Sequence, residues 1–200
     1  MKKEKLFKDI QHLLSLGFPI HLLHPNSKKP IHNNWSKRPF DDFKTLRRTF
    51  NDNNIGVRLG KNLKSNGNES FLAVIDCDVK SQDQKHIAEM ESTLADFLST
   101  QGVNVFADIP TVFSGRGNGS KHVYIRTVEP VTAFRLTQSK EKVKVLMPSH
   151  KPSKNDLAAL TENEIKKGYR VRAAWEISIM GEGNQVVLPP SIHPDTGALS

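Results

Sequence analysis

Apolar positions at Leu6, Phe7, Ile10, Leu13 and Leu14 repeat with the period of one helix face, and Gly17 stands where such a helix would end. Residues 18–23 then read as a strand, followed by a turn-rich stretch from His24 to Pro30. A second helix is expected over 41–51, capped by Asp41 or Asp42, with Phe43, Leu46 and Phe50 turned inward. Residues 55–59 form a short strand, and Gly60 to Ser70 a polar loop. The next run, Phe71-Leu-Ala-Val-Ile-Asp76-Cys-Asp78, is apolar on both faces from Leu72 to Ile75 and turns acidic at its far end. Ile87, Met90, Leu94, Phe97 and Leu98 then mark a helix over about 81–100, with Gly102 beyond it. Strands at Thr111–Phe113 and His122–Ile125 flank a glycine-rich turn, Ser114-Gly-Arg-Gly-Asn-Gly-Ser120. The stretch 147–172 is polar and basic and reads as a solvated loop. Trp175–Ile179 and Gln185–Leu188 read as a hairpin over Gly181-Glu-Gly-Asn184.

Helices and strands are thus mixed without regular alternation, which favours an α+β fold over a doubly wound parallel sheet. At 200 residues the chain suits one large domain or two small lobes. No stretch approaches the roughly 18 apolar residues of a membrane span, and the basic N-terminus leads into an amphipathic helix rather than a signal sequence, so a cytoplasmic protein with no membrane partner is expected. The single Cys77 cannot staple the fold, and the carboxylates beside it disfavour a reactive thiolate. Lys and Arg outnumber Asp and Glu by 29 to 21, and a net charge of +8 favours a polyanionic partner, nucleic acid first among them.

The chemistry concentrates in three blocks. Asp76 and Asp78 are two apart on a strand and project from the same face, where two carboxylates repel unless positive charge lies between them. Ser120 and His122 share a face at the start of another strand, after a turn whose glycines allow backbone N–H groups close to a phosphate, with Arg116 and Lys121 adding charge. Glu176 lies on a strand opposite in direction to Ile177, ahead of the block Pro189-Pro-Ser-Ile-His193-Pro, where the two prolines force the chain out of the ladder and present Ser191 and His193. Each block also has a structural reading: an exposed strand acid, a hairpin turn, a locally satisfied loop. His21 and His24 have metal-like spacing only on a helix, and the strand pattern around them speaks against a zinc site.

Taken in order, these blocks resemble the prim-pol branch of the archaeo-eukaryotic primase superfamily, the bifunctional primase/polymerase domain of plasmids, phages and other mobile elements. Lys29-Pro30 with Trp35, and Asn54-Ile-Gly-Val-Arg-Leu-Gly60, match its upstream signatures, so the resemblance covers about residues 10–197. Two positions depart from the usual pattern: Glu rather than Asp at the third acid, and a turn longer than the compact Ser-Gly-Gly form.

The resemblance implies a primase-like α+β catalytic domain spanning 1–200, with an N-terminal α/β lobe over about 1–70 packed on a lobe over 71–200 whose antiparallel sheet is like that of RNA-recognition domains. It implies template-directed DNA primase/polymerase activity, with Asp76, Asp78 and Glu176 holding two Mg²⁺ or Mn²⁺ ions. Ser120, Lys121, His122, Arg116, Arg58, Ser191 and His193 would hold the nucleoside triphosphate, with Lys29 a further candidate. Single-stranded DNA is the expected template, gripped by the basic run from 151 to 172, and a helicase domain or subunit a further partner, since relatives usually continue past this point. An extension-only polymerase, an RNA-only primase, a metal-dependent nuclease, or a non-catalytic replication initiator or single-strand-binding module would draw on the same residues.

Overall fold

A computed structural model describes residues 2–61, 70–101, 110–114 and 117–192. In chain order the elements are α1 (Lys2–Ser15), β1 (Ile20–Leu23), α2 (Phe43–Thr49), β2 (Asn54–Arg58), β3 (Gly60–Lys61), β4 (Phe71–Val79), α3 (Gln84–Thr100), β5 (Thr111–Phe113), β6 (Lys121–Thr127), β7 (Phe134–Gln138), β8 (Lys142–Leu146), α4 (Lys154–Ala159), α5 (Glu162–Lys166), β9 (Tyr169–Ala173), β10 (Trp175–Met180) and β11 (Gln185–Leu188). The largest sheet has strand order β5-β6-β4-β10-β7, with β3 against β4; a second is β1-β2-β11 and a third β8-β9. The pairings β1–β2, β2–β11, β3–β4, β5–β6 and β8–β9 are antiparallel. The fold is therefore mixed α and β with antiparallel sheets, as the absence of regular alternation predicts. The chain divides into two compact units, one of residues 1–76, 108–134 and 178–200, the other of 77–107 and 135–177.

The first unit is built around β1-β2-β11. Ile20, Leu22, Ile55, Val57, Val186 and Leu188 project from one face of that sheet and are buried with Phe7, Ile10 and Leu46 from the two helices. Each such side chain contributes roughly 1.5–3 kcal/mol on leaving water. Phe7 packs edge-on to Phe43 and Phe50, with centroids 6.3 and 5.4 Å apart. Asp42 caps α2 by accepting from the Thr45 N–H at 2.7 Å.

His21, Gly56 and Gln185 lie across the other face of the same sheet. His21 Nε2 and Gln185 Oε1 crowd the space above Gly56, so a Cβ there would sit 3.1 and 2.6 Å from them. Residues of the irregular 30–41 stretch cover this face, Trp35 packing its ring 5.4 Å from that of His21.

Two sequence expectations fail here. Trp175–Ile179 and Gln185–Leu188 do not form a hairpin: β11 leaves β10 and pairs with β2, Gln185 opposite Arg58 and Leu188 opposite Ile55. The connecting turn is anchored elsewhere, with the Glu182 N–H donating to the Val131 carbonyl at 2.8 Å. A Cβ on Gly181 would lie 1.8 Å from that carbonyl oxygen, so glycine is required for the approach. The buried, apolar side of β2 outcompetes the local pairing.

Nor is the basic stretch a loop. In the second unit it folds into α4, α5 and β9, with a capping box at the start of each helix: Ser153 with Asp156, and Thr161 with Glu164. Asp156 is wholly buried. Burial opposes its charge, but hydrogen bonds from Ser153 and the Val171 N–H, with Arg172 at 3.2 Å, outweigh that and hold its carboxyl well below the usual carboxylate range. Asp156→Ala removes a cap and strands the Val171 N–H, so a loss of about 2 kcal/mol is expected in urea unfolding. Arg170 is likewise buried, donating to the carbonyls of His150, Ile165 and Tyr169. The same unit contains α3, capped by Asp83, whose buried face is His86, Met90, Leu94 and Leu98; the expected Ile87 and Phe97 are only half-buried, and His86 takes a buried place that the apolar spacing did not mark. That imidazole links Ser81 Oγ at 2.8 Å to Glu141.

Candidate active site

The first unit brings Asp76 and His122 together. They stand on β4 and β6, neighbours in the sheet, with His122 Nε2 3.3 Å from Asp76 Oδ1. Both side chains are about one-third exposed, 32% for Asp76 and 29% for His122. Strand alternation explains the exposure: Ile75 and Cys77 are fully buried, which turns Asp76 the other way.

The hairpin that carries His122 is closed by the glycine-rich turn. Phe113 pairs with Lys121, and the Ser114 N–H donates to the Ser120 carbonyl at 2.8 Å. Gly117 and Gly119 adopt φ of 66° and 81°, the left-handed region that glycine tolerates. Ser120 and Asn118 are buried beneath this turn, and the Ser120 N–H points at Asn118 Oδ1, 3.4 Å away. Lys121 places its ammonium 5.9 Å from the centre of the Phe113 ring. Gly115 and Arg116 lie outside the described residues.

In the second unit, Asp78 pairs with Lys80 at 3.0 Å and Glu176 with Arg135 at 3.2 Å. Asp78 and Glu176 are 34% and 27% exposed. Each of the three acids is therefore met by its own basic side chain. Among the described residues no group of three or more His, Cys, Asp or Glu side chains is arranged to hold a metal ion. The sequence reading missed all of these basic side chains except His122. Lys80 was legible, continuing the 76, 78, 80 alternation on one strand face. Arg135 was not, because nothing in the local pattern marks β7.

The remaining predicted contacts are engaged within the first unit. Arg58 Nη1 donates to the carbonyls of Trp35 and Arg38 at 2.7 and 2.9 Å, and its guanidinium lies 4.1 Å over the Phe40 ring. Burial lowers its pKa from the usual arginine value. Ser191 is buried, its hydroxyl accepting from the Ile55 N–H at 3.0 Å and donating to the Ile55 carbonyl at 3.2 Å. The Lys29 carbonyl accepts from the His24 N–H at 2.8 Å, closing the turn before Pro30. His193 lies outside the described residues. Cys77 is buried and in no disulfide, and His21 sits on a strand rather than on the helix a zinc pair with His24 would need.

The family profile described as bifunctional DNA primase/polymerase, N-terminal (Prim-Pol), matches residues 10–199. The chain belongs to this family. Prim-Pol membership gives it a DNA primase/polymerase-type function, nucleotidyl transfer with DNA and nucleotides as substrates. No curated protein matches the chain. Among the described residues of this Prim-Pol domain no helix is long and apolar enough to cross a membrane.

Proposed function

We propose that the chain synthesises and extends primers on single-stranded DNA by template-directed nucleotidyl transfer, with Asp76, Asp78 and Glu176 as ligands for two divalent ions. The observation that carries this reading is the Prim-Pol match over nearly the whole chain, combined with three partly exposed carboxylates on strands β4 and β10. The Lys80 N–H donates to the Ala174 carbonyl at 2.8 Å, joining the residue after β4 to the residue before β10. An unbulged antiparallel ladder continued from that bond sets Asp78 opposite Glu176, consistent with the alternating burial of both strands.

The donor set fits the ions: carboxylate oxygens are hard ligands, suited to Mg²⁺ or Mn²⁺. The carboxylates are about one-third exposed and meet basic side chains rather than being locked in the core, so a cation can take the place of a basic partner by side-chain rotation. Bound divalent ions supply Lewis acidity at the α-phosphate and activate the 3′-hydroxyl.

The chain's own residues do the rest. His122, beside Asp76, donates to a phosphate oxygen of the incoming nucleotide. Lys121 and Arg116 balance triphosphate charge, and the turn at 117–120 brings backbone N–H groups within reach of phosphate. Ser120, Arg58, Ser191 and His193 complete the nucleotide contacts in this reading, with Arg58 and Ser191 shaping the pocket through the backbone they hold.

The test is incubation with a single-stranded template, Mg²⁺ or Mn²⁺ and labelled ribo- or deoxyribonucleotides, with and without a primer. A ladder of products in both arms is expected. Products only with a primer would reduce the activity to extension; degradation of labelled primer with nothing added would replace it by a nuclease. Template binding with no product in any arm would leave a binding module.

A further inference from the structure

The β8–β9 ribbon has two unlike faces. Val143 and Val145 stand opposite Arg172 and Arg170 on one side, from which the two arginines reach Asp156 of α4 and the Ile165 carbonyl of α5. Lys142, Lys144 and Leu146 stand opposite Ala173, Val171 and Tyr169 on the other side. There Lys142 and Lys144 are exposed, Leu146 is 60% exposed, and Tyr169 and Val171 are half-buried. Two lysines thus stand side by side on one strand of a face whose remaining positions are aromatic or aliphatic. Lys142 has no ion pair among the described residues, while Lys144 meets Glu164 at 2.6 Å. The surrounding chain is basic: residues 140–172 contain nine Lys or Arg against four Asp or Glu. Arg170 and Arg172 are tied into the fold, so the outward-facing positive charge comes from lysines.

We propose that this outer face is a contact for single-stranded DNA, with Tyr169 and Leu146 against the bases and Lys142 and Lys144 at the phosphates. Charge complementarity selects the occupant. A face that sets two neighbouring lysines beside aliphatic and aromatic surface suits a strand whose bases are unpaired and free to stack, whereas duplex DNA would offer only its backbone. The inference rests on the polymerase reading for its choice of DNA, and it moves the template contact from the basic run as a whole to one side of one ribbon.

The experiment is fluorescence anisotropy of the full chain with labelled oligothymidylate of about 20 nucleotides, longer than the roughly 4–16 that an OB fold covers, at several salt concentrations. The pair Lys142→Gln and Lys144→Gln is expected to weaken binding about tenfold and to lower the log–log salt slope by about 1.4, at about 0.7 per cation. Tyr169→Ala is expected to cost a further factor of about ten and Tyr169→Phe little, since the ring is what stacks. A control pair, Lys166→Gln and Lys167→Gln on and beside α5, should lose less than half as much on a logarithmic scale. Equal losses for the two lysine pairs would mean diffuse basicity and overturn the proposal, as would a Lys142/Lys144 variant that binds like wild type. Primer extension by the wild-type chain, measured alongside the binding, separates the two readings. Binding that depends on the ribbon, with no primer extension by wild type, would sink the polymerase and leave the surface standing.

Discussion

Asp78→Ala is expected to cut nucleotide incorporation about 10³-fold while leaving the fold in place. A hard-oxygen ligand to a catalytic ion stabilises transition-state charge by several kcal/mol, and about 4 kcal/mol corresponds to that factor. The structural cost is small by comparison. Asp78 is one-third exposed, and its pair with Lys80 is of the kind that contributes about 1 kcal/mol or less. Cys77 and Val79, which anchor this end of β4, are untouched. Timed primer extension on wild type, Asp78→Ala and Asp96→Ala makes the comparison, because Asp96 is an exposed acid on α3 outside the proposed ligand set. Retention of more than a tenth of wild-type rate by Asp78→Ala, with an unchanged melting temperature, would remove this carboxylate from the chemistry.

Stability is expected to fall by about 3 kcal/mol as pH drops from 6.5 to about 4, on account of His21 alone. Burial pushes its pKa down from 6.5 to about 4, the charges of Arg58, His32 and Arg38 push the same way, and Gln185 opposes them. Its Nε2 is buried without a well-formed hydrogen bond. As pH falls through this window the unfolded chain takes up a proton that the folded chain refuses, so unfolding is favoured progressively. Above 6.5 both states are neutral and the effect vanishes. Urea unfolding of wild type and His21→Leu at pH 7 and at pH 4.5 tests this, since carboxylates common to both chains cancel in the difference. Parallel losses in the two proteins would show that the imidazole titrates normally.

What was legible in the sequence tracks how far each element depends on distant partners. α1, α2 and α3 announce themselves through apolar spacing and through Asp42 and Asp83 at their starts, because helix hydrogen bonds are local. β4 was equally plain, nine residues with an apolar run too long to be anything but buried. The partner of β11 was not, since a turn-flanked pair of strands reads as a hairpin until a distant strand offers a better face. α4 and α5 were missed although Ser153-x-x-Asp156 and Thr161-x-x-Glu164 spell out their caps; the lysines around them suggested a solvated loop. β8 was overlooked despite its Lys-Val-Lys-Val-Leu alternation.

For the site, the Asp-x-Asp and Ser-x-His spacings were readable as pairs on single strands, whereas the 3.3 Å approach of His122 to Asp76 joins two strands and shows only in the folded chain. The acid–cation pairing Glu176–Arg135 joins different strands, so only the folded chain reveals it.

The central strand of the small three-stranded sheet is flanked by a segment from near the start of the chain and one from near its end. Asn54 and Ile55 are hydrogen-bonded to Ile192 and Ser191, over 130 positions away. On the ribosome, β1 and β2 must therefore wait as a bare ribbon until almost all of the described chain has emerged. Any shortened fragment that stops before Gln185 would leave that ribbon with an open edge, prone to recruit strands from neighbouring molecules.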